Sequence, residues 1–503
     1  MSESTGASAT AVSSSILSAQ ALPDAKGPMG DDAATELVSL YQKQKKIYAR
    51  AVSGLFATWR WSLVWATQLL FYGLPWLEWN GRQAVLFDLG QRRFYIGALV
   101  LYPQDFIFLT GILIIAAYAL FLFTAVAGRL WCGFACPQTV YTEIFMWVEL
   151  KIEGDRIARM KRDGSDWTLD KLWRKTATQG VWIALGLWTG FTFVGYFTPI
   201  KTLAAEALTL GFGPWEWFWV LFYGLATYGN AGFMREQVCK YMCPYARFQS
   251  AMFDKDTLII SYDIERGEPR GSRSRKADPV KLGLGECIDC GLCVQVCPTG
   301  IDIRKGLQYE CIGCAACIDV CDGVMDKMNY PKGLIRYDTQ NGLAQHLTPR
   351  QRLARIFRPR VLVYSAILVL ILSGFFISLA LRNPFKVDVV RDRAALARQV
   401  EEGQIENVYR LQVMNATEQP QYYRVVAQGL PGIVLGPLPE IRLAPAEARW
   451  VIVGVRIPPD SAAKAGAGAH PIHFEIDLLR TDGAGQTTTG ATVREKSTFV
   501  VPR

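Results

Sequence analysis

Long uncharged runs and short alternating runs divide this chain into two kinds of sequence. Five runs are apolar and long enough to predict membrane-spanning helices, since a bilayer core of roughly 30 Å needs about 20 apolar residues. These runs are Trp61–Leu77, Phe106–Ala127, Gly180–Ile200, Trp217–Met234 and Val361–Leu381. After Leu381, apolar and polar residues alternate in short segments separated by Pro- and Gly-rich turns, which is typical of antiparallel strands. We therefore predict a bundle of five membrane helices followed by a β domain.

The part of the chain after Leu381 is predicted to form a small all-β domain. Its alternating segments are Val408–Val413, Tyr422–Val426, Trp450–Val455 and His473–Leu478. A period of two places one face of each strand in a core and the other face in solvent. Several such strands joined by turns are typical of an immunoglobulin-like sandwich. No Cys lies in this part of the chain, so we expect no disulfide across it.

Lys and Arg are distributed unevenly among the loops, and this predicts the orientation of the chain. The loop between the second and third spans is strongly basic, with Arg129, Lys151, Arg156, Arg159, Lys161, Arg162, Lys171, Arg174 and Lys175. The segment between the fourth and fifth spans carries many more, whereas the loop between the third and fourth spans has only Lys201. By the positive-inside rule, the N-terminus and both basic loops are cytoplasmic, and the β domain lies outside.

These features predict five segments. Residues 1–45 are rich in Ser and Ala and lack a positively charged start followed by an apolar core, so we predict a disordered cytoplasmic tail and not a signal peptide. The other predicted segments are four membrane helices in 46–250, a cytoplasmic cysteine-rich domain in 251–345, the fifth membrane helix in 346–382 and the β domain in 383–503. The lipid bilayer is therefore the first expected partner.

Composition supports this organisation and excludes other classes of protein. The chain has 503 residues, of which 50% are hydrophobic and 20% are charged, so it is neither a disordered chain nor a soluble single-domain enzyme. The net charge of +9 is explained by the basic loops, and we do not expect nucleic acid as a partner. The 12 Cys lie between positions 132 and 321 in tight pairs and quartets, which is unlike a disulfide framework.

Eight of these cysteines form two quartets with the same spacing, C-x2-C-x2-C-x3-C. The quartets are Cys287, Cys290, Cys293 and Cys297, and then Cys311, Cys314, Cys317 and Cys321. This run is used by bacterial ferredoxins with two [4Fe–4S] clusters, in which the fourth Cys of each run ligates the other cluster. The predicted ligand sets are therefore Cys287, Cys290, Cys293 and Cys321 for one cluster, and Cys311, Cys314, Cys317 and Cys297 for the other.

A ferredoxin-like α+β domain inserted before the last membrane helix follows from these quartets. Gly291 and Gly313 support it, because a chain that wraps a cluster needs backbone freedom close to the metal. The predicted cytoplasmic side is also one where thiols stay reduced. The alternative is a pair of zinc sites, although zinc usually takes two C-x2-C pairs separated by a longer spacer.

The other four cysteines form two copies of C-x3-C-P, each just past a predicted span. The pairs are Cys132 with Cys136 and Cys239 with Cys243. Because Pro is favoured at the first helical position, Cys136 and Cys243 are predicted N-caps, where the helix dipole lowers the pKa of a thiol. Low-pKa thiols bind soft metals or undergo redox exchange.

The sequence alone leaves several possible ligands and states for this thiol group. They are Cu(I), a third iron–sulfur cluster, a redox disulfide and no ligand at all, with the cysteines acting as small buried hydrophobes. The thioethers of Met146, Met234 and Met242 lie close in sequence. A membrane haem is not favoured, because the only histidines are outside the spans, at His346, His470 and His473. The last two have i, i+3 spacing, which places them on opposite faces of a strand.

Four stretches of sequence resemble one known family. They are Arg93–Gly97, Gly128–Gly133, Met242–Gln249 and Tyr330–Tyr337. Together with the cysteines they are similar to the CcoG/FixG/RdxA family, the cytochrome c oxidase accessory proteins of Gram-negative bacteria. The resemblance runs from about residue 45 to the C-terminus. Asp322 stands where Pro follows the last Cys of simple ferredoxins, which removes no ligand.

The resemblance implies an enzyme of the bacterial inner membrane with a periplasmic C-terminal domain. Its implied activity is the reduction of Cu(II) to Cu(I) for the copper centre of cbb3-type cytochrome c oxidase, with copper held near Cys132, Cys136, Cys239 and Cys243. Its implied partners are oxidase assembly factors and copper chaperones, besides a cytoplasmic electron donor that the sequence does not name. Two other functions stay open. One is a membrane electron conduit, similar to polyferredoxins with C-x3-C-P motifs, which passes electrons to a quinone or a periplasmic acceptor. The other is a non-enzymatic assembly scaffold.

Overall fold

The computed structural model describes residues 46–392, 397–438, 440–481 and 487–502. It contains two units, Met1–Lys46 and Ile47–Arg503, and everything that follows concerns the second. The predicted disordered tail, 1–45, lies outside the described residues. The α-helices of the second unit are α1 Leu55–Gly73, α2 Phe106–Ala127, α3 Leu130–Phe134, α4 Pro137–Glu153, α5 Arg156–Gly164, α6 Leu169–Val194, α7 Ile200–Thr209, α8 Pro214–Thr227, α9 Pro244–Met252, α10 Ile264–Gly267, α11 Leu292–Gln295, α12 Ala316–Met328, α13 Gln340–Ala344, α14 Pro349–Ala354, α15 Pro359–Ala380 and α16 Pro459–Ala465.

Two of these helices are long and apolar enough to cross a membrane, among the residues that the structure describes. They are α15 and the segment Pro103–Ala127, which joins a short 3-10 turn to α2. The two helices pack along each other, and the ring centroids of Phe108 and Phe375 lie 5.8 Å apart. Few of their side chains are buried, as expected for contact with lipid. The second and fifth predicted spans are thereby supported.

The other three predicted spans also fall on helices. The first lies on α1, the third on the second half of α6, and the fourth on α8 with the π-helix Tyr228–Met234 that continues it. Helices α6 and α8 approach closely through glycine, since a Cβ on Gly190 would lie 2.2 Å from the carbonyl oxygen of Val220. Small residues at such a contact are typical of helices that pack within membranes. Passage of α1, α6 and α8 through the membrane, and hence the five-helix bundle, stays a prediction.

A two-stranded sheet and two helices form the cysteine-rich part of the chain. Strands β6 Ile259–Tyr262 and β7 Ile335–Asp338 pair antiparallel. They surround the cysteine loops together with α11 and α12, and the shared core contains Ile260, Leu334 and Met325, all nearly fully buried. The sequence between the two strands therefore holds both predicted cluster sites.

The C-terminal part is built from two antiparallel sheets. The first has the order β12-β14-β10-β8, with β9 also paired to β10, and the second has the order β13-β11-β15-β16. Their bounds are β8 Phe385–Arg391, β9 Arg398–Gln399, β10 Ile405–Asn415, β11 Gln421–Gln428, β12 Val434–Leu435, β13 Ile441–Leu443, β14 Ala448–Ile457, β15 Gly468–Thr481 and β16 Thr487–Val501. The core between them includes Tyr409, Tyr423 and Phe474, which are fully buried. All four predicted strand segments lie in β10, β11, β14 and β15.

A small β region that the sequence analysis missed joins the second membrane helix to this sandwich. Its strands are β1 Glu78–Trp79, β2 Arg82–Gln83, β3 Val85–Asp88, β4 Arg93–Ile96 and β5 Leu99–Leu101. Just after β5, Asp105 is almost fully buried and lies 3.2 Å from both Arg382 and Lys386, at the end of α15 and in β8. Tyr102 Oη donates to the carbonyl oxygens of Asn415 and Ala446. The ends of α2 and α15 are thus tied to the sandwich.

Helix α1 begins on a carboxylate supplied by the cysteine-rich part. The backbone N–H groups of Phe56 and Ala57 donate to the two carboxylate oxygens of Asp319, at 3.1 and 2.7 Å. Gly54 permits the approach, since a Cβ there would lie 2.4 Å from the Asp319 carboxyl carbon. A carboxylate at a helix N-terminus satisfies unpaired amides and also interacts favourably with the helix dipole.

Replacement of Asp319 with Ala is expected to destabilise this junction by about 1–2 kcal/mol, the usual cost of losing a helix cap. The measurement is thermal unfolding of the purified protein in detergent, followed by circular dichroism. Asp326→Ala is the matched control, because Asp326 lies on the same helix and makes only an exposed ion pair with Lys332. Equal melting temperatures for the two variants would contradict the capping role.

Candidate iron-sulfur and thiolate site

The two cysteine quartets have the same local backbone. In the first loop Asp289 and Gly291 have positive φ, at 52° and 66°, and in the second loop Gly313 and Ala315 have φ of 70° and 58°. These are corresponding positions, the residues just before and just after the second Cys of each quartet. Gly291 and Ala315 are also the N-caps of α11 and α12. The left-handed residues turn each loop twice, so that its first three cysteines face one side.

Each predicted ligand set lines one cavity. Cys287, Cys290, Cys293 and Cys321 line a cavity with about 380 Å³ of empty space, part of it open to solvent. Cys297, Cys311, Cys314 and Cys317 line a second cavity with about 330 Å³ of empty space, and Cys293 of the first set also borders it. The crossed sets expected from ferredoxin spacing are thus the sets that the fold brings together. The ligand assignment itself stays a prediction.

The chemistry of these cavities fits clusters better than single ions. Four thiols around an otherwise apolar cavity are the donor set of a [4Fe–4S] cluster. A cluster takes each thiolate at a separate iron, whereas a zinc site takes four donors at about 2.0–2.3 Å from one ion.

Burial makes these thiols poor acids in the absence of a cation. It raises the pKa of Cys293 to about 11 and the pKa of Cys311 to about 12. Burial and then the nearby Cys293 thiolate raise the pKa of Cys321 to about 12. Since metals bind the thiolate, loading of these cavities must release protons, and the positive charge of the iron replaces that of the protons.

The two C-x3-C-P motifs lie on short helical turns that precede longer helices. Cys132 is in α3 and Cys239 in the π-helix Val238–Met242. Cys136 and Cys243 are the N-caps of α4 and α9, with Pro at the first helical position, so that prediction is confirmed. Neither cysteine side chain makes a capping hydrogen bond.

The low pKa expected for an N-cap thiol is wrong at Cys136. Burial and then the neighbouring Cys136 thiolate raise the pKa of Cys132 to about 11, and the same two causes raise that of Cys239 to about 12. Burial also raises the pKa of Cys136, although backbone N–H groups of its helix act in the opposite direction. At the start of α4, desolvation therefore outweighs the effect of the helix terminus. The mutual influence of the thiols indicates that the four cysteines form one group.

This thiolate group packs directly against the second ferredoxin-like site. Cys132 and Cys239 contact a buried cluster that includes Cys314. A Cβ on Gly133 would lie 2.7 Å from the Cys314 Cα, so only glycine allows α3 to approach this loop. Lys240 Nζ donates to the carbonyl oxygen of Thr299, 2.8 Å away, which ties the second motif to the same site. The thiolate group, the second cluster site and the first cluster site are therefore neighbours in that order.

Arg129 holds the contact between the two sites. Its guanidinium donates to the carbonyl oxygens of Tyr309 and Ala246, and to Ser250 Oγ at 2.5 Å. The side chain is almost fully buried. The charge of Arg129 also favours ionisation of Cys132, Cys239 and Cys311, since it lowers the pKa of each thiol against the effect of burial. One cation thus serves both the thiolate group and the second cluster cavity.

Three parts of the chain match models of known protein families. Residues 234–340 match a family model described as a 4Fe-4S dicluster domain. Residues 108–153 match a 4Fe-4S binding domain, and residues 375–502 match the IG-like fold at the C-terminus of FixG. The immunoglobulin-like sandwich predicted for the C-terminal part is thereby confirmed, and so are iron–sulfur clusters as cofactors.

Three curated proteins resemble most of the chain. The nitrogen fixation protein FixG of Rhizobium meliloti is 37% identical over 447 residues, which cover 83% of this chain and 85% of that protein. The chain belongs to the FixG family. Proteins RdxB and RdxA of Cereibacter sphaeroides are each 39% identical, over 78% of this chain and 83% and 84% of their own lengths. A crystal structure of a FixG-related protein from Vibrio parahaemolyticus is 26% identical, with a TM-score of 0.18, and covers 24% of this chain and 97% of that one.

Membership of the FixG family settles the coarser part of the function. The family descriptions and the cysteine cavities together identify an iron–sulfur oxidoreductase that transfers electrons, with two clusters in the dicluster domain. The two apolar helices and the FixG relatives make it a membrane protein.

Several side chains at this FixG-family site were not singled out by sequence reasoning. The Cys132 thiol donates to Gln249 Oε1 at 3.3 Å, and Gln249 is held in turn by Thr124 of α2. Tyr337 Oη donates to the Gly313 carbonyl at 2.6 Å, and Arg60 Nη1 donates to the Cys314 carbonyl at 3.2 Å. Gln249 and Tyr337 are the last residues of two of the stretches that carry the family resemblance. Their place in those stretches is the one feature of the sequence that could have pointed to them.

The proposed auxiliary ligands have mixed outcomes in this FixG-family protein. Met146 lines a cavity together with Cys239 and Cys314, whereas Met242 is exposed. His470 and His473 both lie in β15, and His346 pairs with Glu265 at an exposed position. Met146 is thus the thioether that the fold places beside the thiolate group.

Proposed function

We propose that this protein is a membrane-bound cupric reductase that converts Cu(II) to Cu(I) for the copper centre of a cbb3-type cytochrome c oxidase. The observation that carries the proposal is the packing of Cys132 and Cys239 against the buried cluster that contains Cys314. Soft thiolates that favour Cu(I) lie there beside a cavity suited to a one-electron cluster. A copper ion bound at the thiolate group would be close enough to receive single electrons.

The roles of the residues follow from their chemistry. Cys132, Cys136, Cys239 and Cys243 bind the copper substrate, and loss of their protons accompanies binding. The eight ferredoxin-type cysteines would hold two [4Fe–4S] clusters, and the chemistry these would supply is the transfer of single electrons. Arg129 keeps the two sites in contact, and its charge compensates part of the thiolate charge. Thiolates stabilise Cu(I) over Cu(II), so binding favours the reduced product.

The proposal includes a topology and partners. The protein crosses the bacterial inner membrane several times, with the clusters on the cytoplasmic side and the immunoglobulin-like domain in the periplasm. The basic loops support this orientation. Reduced copper would pass to copper chaperones and other assembly factors of the oxidase, and a reductant must load the clusters.

A second function is favoured by a specific observation. The 4Fe-4S binding domain matched over residues 108–153 includes Cys132 and Cys136. The four C-x3-C-P thiols also interact with one another as one group. A third [4Fe–4S] cluster would take these thiols at separate irons, and the protein would then be an electron conduit with three centres.

Metal analysis and a copper assay test both functions on anaerobically purified protein. A cupric reductase with two clusters contains about eight iron and eight sulfide ions per chain, since each cluster has four of each. The chemically reduced protein should also convert added Cu(II) to Cu(I), detected with a Cu(I)-specific chelator. About twelve iron ions per chain would favour the conduit. Reduced protein that leaves Cu(II) unchanged would rule out the reductase and favour a scaffold.

A further inference from the structure

One cysteine of the first cluster site faces solvent. Of the twelve cysteines, all of which lie within the described residues, only Cys290 is exposed. Its counterpart in the second quartet, Cys314, is buried. The second site is in contact with the first, since Cys293 borders both cavities, and also with the thiolate group. Electrons from a soluble donor can therefore enter the protein beside Cys290 and reach the thiolate group through the second site.

A basic segment, residues 266–281, is packed on the chain beside this exposed cysteine. The Gly271 N–H donates to the carbonyl oxygen of Cys287, 3.2 Å away, so the segment is bound to the backbone of the first ligand. Arg270 Nε lies 3.9 Å from a carboxylate oxygen of Asp289, which directly precedes the exposed cysteine in the chain. The basic segment is therefore fixed next to the ligand that faces solvent.

This basic segment carries positive charge that its surroundings do not neutralise. Its cations are Arg266, Arg270, Arg273, Arg275, Lys276 and Lys281, and its carboxylates are Glu268 and Asp278. Arg266 and Arg270 are paired with carboxylates, but within the described residues the other four cations form no ion pair. Asp278 is likewise without an ion pair there, so three positive charges remain uncompensated. Asp289, beside the exposed cysteine, is itself neutralised by Arg304.

The end of the basic segment forms a turn that exposes two apolar side chains. Val280 is 84% exposed and Leu282 is 55% exposed, on either side of Lys281 in the chain. The turn is closed by the Leu284 N–H, which donates to the carbonyl oxygen of Pro279, 3.0 Å away. Apolar contacts surrounded by polar and charged groups are typical of protein–protein interfaces. The turn therefore offers apolar contact area within a positively charged surface.

We infer that the basic segment docks a soluble acidic one-electron carrier protein, which delivers electrons to the first cluster site beside Cys290. The uncompensated cations attract carboxylates on the surface of the carrier and steer its approach. A redox partner is favoured over other anions, because the segment adjoins the one cysteine that faces solvent. Electron-transfer encounters use small interfaces, which fits two apolar side chains with a charged rim. The inference rests on the proposed function and names the class of its electron donor.

The transfer balances without any further group. The reduced carrier loses one electron and the first cluster site gains one, with no bond formed or broken and no proton moved. Because each Cu(II) needs one electron, one encounter with the carrier suffices for each copper ion reduced.

Docking can be measured apart from electron transfer, by calorimetric titration of the oxidised full-length protein in detergent with oxidised plant-type [2Fe–2S] ferredoxin, a small acidic carrier. The parent protein should bind one equivalent at low ionic strength, and added salt should weaken binding because it screens exposed charges. The double variant Lys276→Glu with Lys281→Glu should bind at least about tenfold more weakly, since like charges then face each other. Both lysines are exposed, so the fold should not change.

The matched control replaces Lys161 and Lys464 with Glu. Both side chains are exposed, in α5 and α16, and neither belongs to the basic segment or to a cluster cavity. The net charge of the protein changes by the same amount as in the first double variant. Iron content and EPR of both variants check that the clusters are retained.

The outcomes separate this inference from the proposed function. Weaker ferredoxin binding in the Lys276 and Lys281 variant, with parent affinity in the control, supports the docking surface. Equal affinity in all three proteins overturns it, and so does a segment that binds phosphatidylglycerol vesicles in place of ferredoxin. Dithionite-reduced protein needs no carrier. If it reduces Cu(II) while ferredoxin fails to bind, the inference fails alone, and if ferredoxin binds while Cu(II) is not reduced, the proposed reductase fails alone.

Discussion

Serine at both Cys132 and Cys136 is expected to lower the rate of Cu(II) reduction by more than about 100-fold while both ferredoxin-type clusters remain. Loss of an outer partner of a metal ligand alone costs roughly 10–100-fold in affinity or activity, and here two direct ligands are removed. Serine oxygen is a hard donor that does not replace thiolate for Cu(I). The clusters should remain, because Cys132 packs against the second site without belonging to its ligand set. The rate is measured with dithionite-reduced protein and a Cu(I) chelator, and the clusters by EPR.

The matched control for this experiment is Met242→Leu. Met242 lies inside the second motif, but its thioether is exposed, so its loss should leave the rate unchanged. An unchanged rate in the double serine variant would remove copper from the thiolate group. A loss of about four iron ions per chain in that variant would instead assign the group to a third cluster.

Replacement of Gly133 with Val should separate the thiolate group from the second cluster site. Any Cβ at this position would lie 2.7 Å from both Cα and N of Cys314. Backbone atoms cannot move away as a flexible side chain does, so α3 must shift outward. Overpacking of this kind typically costs about 1–3 kcal/mol. We expect a lower melting temperature, an altered EPR signal of one cluster and a large loss of copper reduction.

Gly323→Ala is the control for the glycine substitution. Gly323 lies within α12, the helix that carries Cys317, and a Cβ there meets nothing within 4 Å. Alanine in a helix is favoured over glycine by roughly 1 kcal/mol, so this variant should be as stable as the parent or more stable. If Gly133→Val melts and reduces copper like Gly323→Ala, the close approach of α3 to Cys314 has no functional role.

The cysteine groups could be predicted from sequence because their spacing is local. The first three thiols of each quartet lie within a few residues of one another, so they reach the same cavity. The fourth thiol of that cavity comes from the other copy of the motif. The N-cap positions of Cys136 and Cys243 also follow from one neighbouring Pro. The raised pKa of Cys136 did not follow, because desolvation depends on how distant segments cover the thiol. The same limit applies to Arg60, which donates to a carbonyl 254 residues away.

The apolar runs of the sequence predicted the presence of helices correctly but predicted the ends of the helices poorly. The third predicted span began at Gly180, but α6 begins at Leu169, where the Thr168 side chain accepts from the Lys171 N–H. Hydropathy detects only the apolar half of such a helix, while capping determines where the helix starts. Strands β1 to β5 were missed because each is short and pairs within a small sheet. The long strands of the sandwich were found because their alternation extends over many residues.

The Asp319 cap has a consequence for how the protein is made. Helix α1 leaves the ribosome early, but the carboxylate that accepts from the Ala57 N–H is encoded 262 residues later. Since domains generally fold in the order of their synthesis, α1 must wait with its first turn incomplete until the cysteine-rich part has folded. Maturation of the earliest helix then depends on a late domain, and delivery of iron to that domain becomes a checkpoint for the whole chain.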